Sequence, residues 1–297
     1  MRDLEPSRTS TVPVSAAESS PANWVKPAAV LPLLERIERL PEDATGALML
    51  GTGAHNHGIV LIERGRICWA VSSEMKRRLV DLLCHQAEPA LSKSSIESIY
   101  NDCRSLNKPL GECLVDSGLI TERGLWRALR QHTAEAIAVI AGKLVPSDIE
   151  FQHHKRQRYD ARFTYSTTEV LVTLGALRDQ STATLARTEL KRCVPESGRG
   201  AAYTRDRDGA GIIPIGEVGT GDVASEAFMD MGAWATSALD VAAAVTSEVR
   251  ALTGTTPEGQ SIVAWSDAGI IYAVLCPTLR SYARLVSSLA RRTSARS

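Results

Sequence analysis

Two histidines separated by a single residue are the first pair in this 297-residue chain whose spacing suggests chemistry. His55 and His57 lie in the segment Gly53-Ala54-His55-Asn56-His57-Gly58, and alternate side chains of an extended strand project to the same side, as two metal ligands would. Glycines on both sides also suit a turn, in which that alignment is lost. Because no third ligand stands at a spacing typical of zinc sites, we interpret the segment as a hairpin loop and expect no metal.

Local signatures of catalysis are absent from the sequence. It contains no GxSxG, HExxH or CxxC pattern. Cys84 and His85 are adjacent on a predicted helix and therefore point apart. Glycines are frequent from Gly198 to Gly221, ahead of a long predicted helix, as in a phosphate-binding loop, but the GxxxxGK[ST] pattern is missing and turns account for them. We therefore expect a protein that is not an enzyme and that holds no cofactor.

The strongest local positive charge lies in residues 153–162, between two predicted strands. A loop of this kind can hold an anion or an acidic partner, and the alternative is a solvated connection. The candidate contacts are Lys155, Arg156, Arg158 and Arg162. Over the whole chain, 34 basic residues balance 34 acidic ones, so no global charge favours nucleic acid or an anionic membrane as a partner.

The cysteines and the length of the apolar runs indicate the cellular compartment of the protein. No run of about 18 apolar residues occurs, and the first residues lack the pattern of a signal peptide, so we expect no membrane span and a cytoplasmic protein. The six cysteines are scattered, and we interpret them as reduced core residues. They are Cys68, Cys84, Cys103, Cys113, Cys193 and Cys276.

The first half of the chain divides into a leader and a folded unit. Residues 1–27 are rich in Pro, Ser, Thr and Ala, which predicts a disordered leader. Residues 28–178 begin with an amphipathic helix, followed by short apolar runs separated by the link Glu63-Arg64-Gly65, which predicts a hairpin. The unit is expected to form a small antiparallel sheet with helices packed against it.

A helical section and closing strands are predicted within this unit. The helix that follows Thr121 is expected to be capped by that hydroxyl and to end at Gly142. Residues 149–151 and 163–165 are predicted as strands, and residues 168–177 as a closing helix.

The second unit is predicted over residues 181–292, with residues 293–297 as a tail. Its elements follow the order helix, hairpin, long helix, hairpin, helix, and Asp206-Arg207-Asp208-Gly209 marks the first hairpin. The long helix is predicted from Val223 to Thr253 and ends at Gly254. This order favours a three-layer α/β/α arrangement, and the chain as a whole is expected to be of the α+β class.

The long helix is rich in small, uncharged side chains. Such a surface on both sides suggests burial against the sheet on one face and against a second subunit on the other, so we expect a homodimer. The alternative is a helix buried wholly within one chain. The residues expected at the dimer interface are Ala235, Ala238, Val241, Ala242 and Val245.

Two stretches of the first unit form a recognisable pattern: Thr45-Gly46-Ala47-Leu48, and the run from Gly58 to Ala70, a strand, a Gly-bearing turn and a strand that ends in alanine. With these stretches the unit resembles the PATAN family of bacterial domains, which occur in signalling regulators. It implies a regulatory unit that docks other signalling proteins.

A short motif within the helical section is similar to the N-terminal domain of type II secretion ATPases. It comprises Leu110-Gly111, Leu114-Val115, residues 118–121, Leu125, Ala128-Leu129 and Gln131. Some members of that family bind cyclic di-GMP through two such motifs, each of which begins with an arginine. This chain has one copy, with Pro109 at the position of the arginine.

The second unit combines the Arg205–Gly209 turn, the long Ala-rich helix, the hairpin at residues 261–275 and the closing helix. In this order of elements it resembles the roadblock family of small dimerising domains, which often regulate or scaffold small GTPases. It implies a dimer formed through the long helix.

These observations favour a non-catalytic bacterial signalling adaptor or scaffold that acts through contacts with other signalling proteins. Two alternatives remain open. One is a regulator of a small Ras-like GTPase, for which the roadblock-like unit would present the binding surface. The other is a sensor of a cyclic dinucleotide, for which the motif around Leu110–Gln131 would contribute to binding.

Overall fold

The fold was described from a computed structural model, and it belongs to the α+β class, as expected. Two antiparallel sheets, of four and five strands, each carry helices. The structure describes residues 27–51, 57–75, 79–86, 91–106, 108–143, 149–153, 161–206, 211–219, 223–245, 251–256 and 259–294. The predicted leader lies outside these residues, except for its last position.

The first sheet has the strand order β3-β2-β1-β4. Its strands are β1 (Gly46–Leu50), β2 (Gly58–Glu63), β3 (Arg66–Ser72) and β4 (Ile149–His153). Burial alternates along β2, because one face of the sheet is covered by helices and the other is more open. The predicted hairpin joins β2 to β3, where Arg64 (φ 51°) and Gly65 (φ 71°) both adopt the left-handed conformation that a tight two-residue turn requires.

Three helices form the core of the first unit against this sheet. They are α1 (Pro27–Glu38), α5 (Glu122–Ala141) and α6 (Thr167–Arg178). Thr121 caps α5 as predicted, because its hydroxyl oxygen accepts a hydrogen bond from the Gly124 amide at 3.0 Å.

The helical section forms a small core of its own. It consists of α2 (Leu79–Gln86), α3 (Lys93–Leu106), α4 (Leu110–Asp116) and one face of α5. Cys103 of α3 and Cys113 of α4 are joined as a disulfide with Cα atoms 6.3 Å apart, because the two helices pack against each other. The expectation that all six cysteines are reduced is therefore wrong for this pair.

The end of the first unit differs from the prediction. Residues 163–165 do not form a strand; Ala161–Phe163 is a 3₁₀ turn, and Tyr165 makes a single antiparallel bridge to Ile67 of β3. Ser166 and Glu169 then form a capping box that starts α6 immediately. Because α6 begins directly after Ser166, too few residues remain before it to form a strand.

The second sheet has the order β6-β5-β9-β8-β7 and lies between two helical layers. Its strands are β5 (Arg199–Arg205), β6 (Ile212–Val218), β7 (Ala251–Thr255), β8 (Ser261–Asp267) and β9 (Ile270–Cys276). Helices α7 (Gln180–Cys193) and α9 (Leu279–Ser294) cover one face, and α8 (Ser225–Val245) together with Val172 of α6 covers the other. This is the expected three-layer arrangement.

The predicted long helix is shorter than expected. Residues 251–255 form β7, which pairs antiparallel with β8. The sequence Thr253-Gly254-Thr255 favours this outcome, because β-branched residues and glycine are poor helix formers and the strand gains a full ladder of partners. Gly254 is therefore not a helix terminator. The closing helix also runs further than predicted, to Ser294, into the predicted tail.

The two units pack closely through α6. Val170 and Leu171 of α6 belong to the core of the first unit, whereas Val172 belongs to the core of the second. At Gly175 the helix backbone passes so close to β6 that an added Cβ would lie 1.7 Å from the carbonyl oxygen of Pro214. A glycine is required there because no side chain fits between the helix and the strand.

A carboxylate also ties the units together. Glu38, the last residue of α1, accepts hydrogen bonds from the Thr167 hydroxyl of α6 and from the Ser225 amide at the start of α8, the latter at 2.7 Å. A negative charge at a helix N-terminus is favourable because the first backbone amides lack partners within the helix.

Candidate functional site

The C-terminal half of α8 presents apolar side chains to solvent. Trp234, Ala238, Val241 and Val245 follow one another at intervals of four, three and four residues, the spacing of a helix-pairing seam. Trp234 and Ala238 are half-buried, whereas Val241 is 66% exposed and Val245 is 81% exposed. An apolar seam that becomes more exposed towards the helix end is a surface suited to contact with another chain.

The residues predicted at a dimer interface separate into two groups. Ala238 and Ala242 are half-buried, and Val241 and Val245 are exposed, so all four lie on or beside the seam. Ala235 is fully buried in the core between α8 and the sheet, so its assignment to an interface is corrected. It faces its own sheet because it lies one residue past Trp234, about 100° around the helix.

The edge strand β7 lies next to this seam. Among the described residues it pairs only with β8, so its other side carries backbone groups that no described strand engages. Thr253 and Thr255 are exposed on it, and the strand contains no charge and no proline. Charges and prolines are the usual protection of a sheet edge against pairing with another chain.

The opposite edge of the same sheet is protected. The outermost strand β6 contains Pro214, which has no amide hydrogen to donate, and both α6 and α7 pack against this strand. In the first sheet, β4 is an edge strand with an exposed charge, Glu150. The remaining edge strand, β3, carries the charged Arg66 and is bridged at Ile67 by Tyr165, so β7 is the edge whose composition least opposes pairing.

The edge strand and the seam form one surface. A Cβ added to Gly254 of β7 would lie 2.9 Å from the Trp234 ring, so the indole lies directly over the strand. We call the surface formed by Trp234, Ala238, Val241, Val245 and strand β7 the α8–β7 face.

The basic cluster predicted in residues 153–162 is only partly described. Lys155, Arg156 and Arg158 lie outside the described residues. The Arg162 guanidinium is 3.2 Å from the carboxylate of Glu122 at the start of α5, and both side chains are exposed. Arg162, the described residue among the four candidates, therefore pairs with the carboxylate of Glu122.

The described residues of the histidine pair and of the secretion-ATPase-like motif take part in backbone hydrogen bonding and in helix packing. His55 lies outside the described residues, and His57 directly precedes β2, with its amide donating to the Leu50 carbonyl. The described part of the chain contains no group of three potential metal ligands. In the motif, Leu114, Ile120 and Leu125 are buried in the helical section; these positions pack helices together.

A cavity of about 410 Å³ lies between the two units, and the sequence prediction missed it. The first unit contributes Trp126 and Arg130 from α5 with Ser166, Thr168, Glu169 and Val172 around the start of α6; the second contributes Arg187, Arg199, Glu217, Val218, Gly219 and Val223. Three arginines from separate elements therefore converge on one cavity. The local signal was Trp126 and Arg130 one helical turn apart, where the guanidinium stacks 4.2 Å from the centre of the indole ring.

Two side chains that could take part in acid–base or nucleophilic chemistry are buried away from this cavity. His132 of α5 is 5% exposed, stacks on Trp69 with ring centres 4.4 Å apart, and has its pKa lowered to about 4 by burial. Burial raises the pKa of the Cys68 thiol to about 12, with a smaller contribution from the Glu63 carboxylate. Near neutral pH both groups are uncharged, so the thiol is a poor nucleophile.

Comparisons with protein-family models, with curated proteins and with solved structures found no match to this chain. Of the helices in the described residues, none is both long enough and apolar enough to cross a membrane.

Proposed function

We propose that this chain is a non-catalytic bacterial signalling adaptor that forms a homodimer through the α8–β7 face. The observation that carries the proposal is the position of an apolar, solvent-exposed helix seam directly beside an edge strand that lacks charge and proline. Either feature alone is common. Together they offer both side-chain burial and backbone hydrogen bonds to a second copy.

A second copy is the occupant that this face fits best. In a two-fold dimer the same patch meets itself, so β7 would pair with β7 of the partner and the two seams would pack against each other. The seam is uncharged, so self-association brings no like charges together. The resemblance of residues 181–292 to the roadblock family, and the three-layer order of the second unit, support the same arrangement.

The first unit would then serve as the docking half of the adaptor. Its resemblance to PATAN domains supports contact with another signalling protein, and its close packing through α6 and Glu38 would hold it in a defined position relative to the dimer. A cytoplasmic setting is part of the proposal: four of the cysteines are free thiols, and in a reducing compartment the Cys103–Cys113 disulfide would be open to reduction.

Light scattering on the purified chain at micromolar concentration tests the dimer. We expect twice the 32.0 kDa chain mass for the wild type and the single chain mass for the double variant Val241→Glu, Val245→Glu, because four buried carboxylates per dimer would have no partners. Leu185→Glu on α7 is the matched control, since Leu185 is also 66% exposed but lies away from the α8–β7 face.

The control variant should remain a dimer. Thr253→Lys places a charge on the edge strand and should weaken the dimer without altering the helix seam. A wild type that stays monomeric, or a double variant that keeps the dimer mass, would contradict the proposal.

A further inference from the structure

The cavity between the two units has the size of a small-molecule site and a lining rich in charged side chains. Its volume of about 410 Å³ lies within the roughly 300–1,000 Å³ that such sites occupy. Residues of α5 and α6 form one wall, and residues of α7, β5 and β6 form the other. An occupant would therefore contact both halves of the chain.

One of the two acidic residues in the lining already has a cationic partner outside the cavity. Glu169 lies 3.1 Å from the Arg66 guanidinium of β3 and also accepts a hydrogen bond from the Ser166 amide at 2.8 Å. Arg66 is not part of the lining. Glu169 therefore interacts with Arg66 and the N-terminus of α6 as well as with Arg130.

Arg130 of α5 and Arg187 of α7 line opposite walls of the cavity. Burial lowers the pKa of Arg130, and the positive charge of Arg187 lowers it further, against opposing contributions from Glu169 and Glu217. Neither arginine takes part in any ion pair formed within the described residues. Like charges that share a partly dry cavity repel each other, and an anion between Arg130 and Arg187 would lower the free energy of the protein.

A glycine lies in the cavity lining beside the third arginine. Gly219 follows directly after β6 with φ of 140°, a conformation that side chains rarely adopt, and an added Cβ would lie 2.9 Å from the Arg199 Cα. This glycine belongs to the glycine-rich stretch that the sequence predicted as turns. The fold places it against the same cavity as the three arginines.

We propose that this cavity binds a small molecule bearing phosphate or carboxylate groups, held by the guanidinium groups of Arg130 and Arg187. A guanidinium presents parallel N–H donors that match two oxygens of such a group. Because one arginine belongs to each unit, the bound anion bridges them and stabilises their packing. This goes beyond the proposed dimerisation, which uses a different face.

Isothermal titration calorimetry and thermal unfolding with sodium pyrophosphate and with sodium citrate test the site, with sodium chloride at equal ionic strength as the reference. We expect at least one of the two anions to bind the wild type and to raise its Tm above the chloride reference. Binding of pyrophosphate alone assigns a phosphate ligand, and binding of citrate alone assigns a carboxylate ligand. Equal Tm values in all three salts would overturn the proposal.

Arg130→Gln and Arg187→Gln should each weaken the binding at least about tenfold, the loss expected for a charge-assisted hydrogen bond. Arg192→Gln is the matched control on the same helix as Arg187, because Arg192 is 61% exposed and pairs with Glu189 outside the lining. Unweakened binding in both cavity variants would overturn the proposal.

Folding and assembly are measured separately in the same variants. Without the anion, Arg187→Gln should keep the wild-type circular dichroism spectrum and should not lower the Tm, since it removes a repulsion. If Arg130→Gln fails to fold, Arg130→Lys keeps the charge but loses the paired donors, and should bind more weakly than the wild type. The dimer mass by light scattering is independent of these readouts, so failure of the anion site and failure of the dimer are distinguishable.

Discussion

The buried imidazole of His132 should make the stability of this protein fall steeply in mild acid. His132 lies beneath the first sheet, stacked on Trp69, and its Nδ1 has no hydrogen-bond partner among the described residues. Burial lowers its pKa to about 4, against about 6.5 in an unfolded chain. Between these two values the unfolded chain takes up a proton that the folded chain does not, so the free energy of unfolding decreases as the pH falls from 6.5 towards 4.

The size of the effect follows from the pKa difference. The complete loss is about 3 kcal/mol, and about 2 kcal/mol of it falls between pH 7 and pH 5. This is a large fraction of the roughly 5–15 kcal/mol that stabilises an ordinary domain. Replacing the imidazole by a phenyl ring, His132→Phe, keeps an aromatic ring against Trp69 and removes the titrating group.

Urea unfolding at a series of pH values measures the effect. We expect the wild type to lose about 2 kcal/mol more than His132→Phe between pH 7 and pH 5. His153→Phe, at an exposed position of β4, is the control and should follow the wild type. If the wild type and His132→Phe lose stability in parallel over this range, the reasoning from burial is refuted.

Two further predictions concern the packing of the two units, and both are measured by urea unfolding at neutral pH. Glu38→Ala should cost about 2 kcal/mol, because it leaves a buried helix N-terminus without its acceptor, whereas Glu35→Ala on the same helix removes only an exposed ion pair and should cost less than about 0.5 kcal/mol. Equal effects of the two changes would show that the contact of Glu38 is unimportant. Gly175→Ala should lower the free energy of unfolding by about 3 kcal/mol or more, because the new methyl group overlaps the Pro214 carbonyl. Gly216→Ala is the control: the nearest neighbour of its new methyl group would be 3.6 Å away, so the free energy of unfolding should hardly change. A Gly175→Ala protein as stable as the wild type would mean that α6 and β6 are less tightly packed than described.

Local signals in the sequence were reliable where a single stretch of chain decides the outcome. The hairpin around Arg64 and Gly65 depends on two neighbouring residues that adopt positive φ, and the start of α5 depends on one threonine hydroxyl and one nearby amide. The secondary structure was mispredicted where such signals compete. At residues 163–165 the capping box of α6 prevailed over the strand pattern, and at residues 251–255 pairing with β8 prevailed over continuation of the helix.

The candidate sites depended much more on tertiary structure. The apolar composition of α8 was visible in the sequence, but only the packing shows that Ala235 faces the sheet while Val241 and Val245 face solvent. Helical spacing in a sequence predicts which residues share one face of a helix. It does not show which of those faces packs against another element and which is exposed to solvent. The edge position of β7 was likewise invisible, because strand order is set by pairings between distant segments.

The sequence by itself determined the α+β class, most of the helices and hairpins, and the lack of any local catalytic motif, because these depend on residues close together in the chain. Only the tertiary structure decided that α6 would join the units and that Arg130, Arg187 and Arg199 would meet in one cavity. These residues lie on α5, α7 and β5, and nothing in their local sequence marks them as neighbours. Their convergence follows from the packing of α6 between the two cores, which brings the helical face of one unit against the sheet edge of the other.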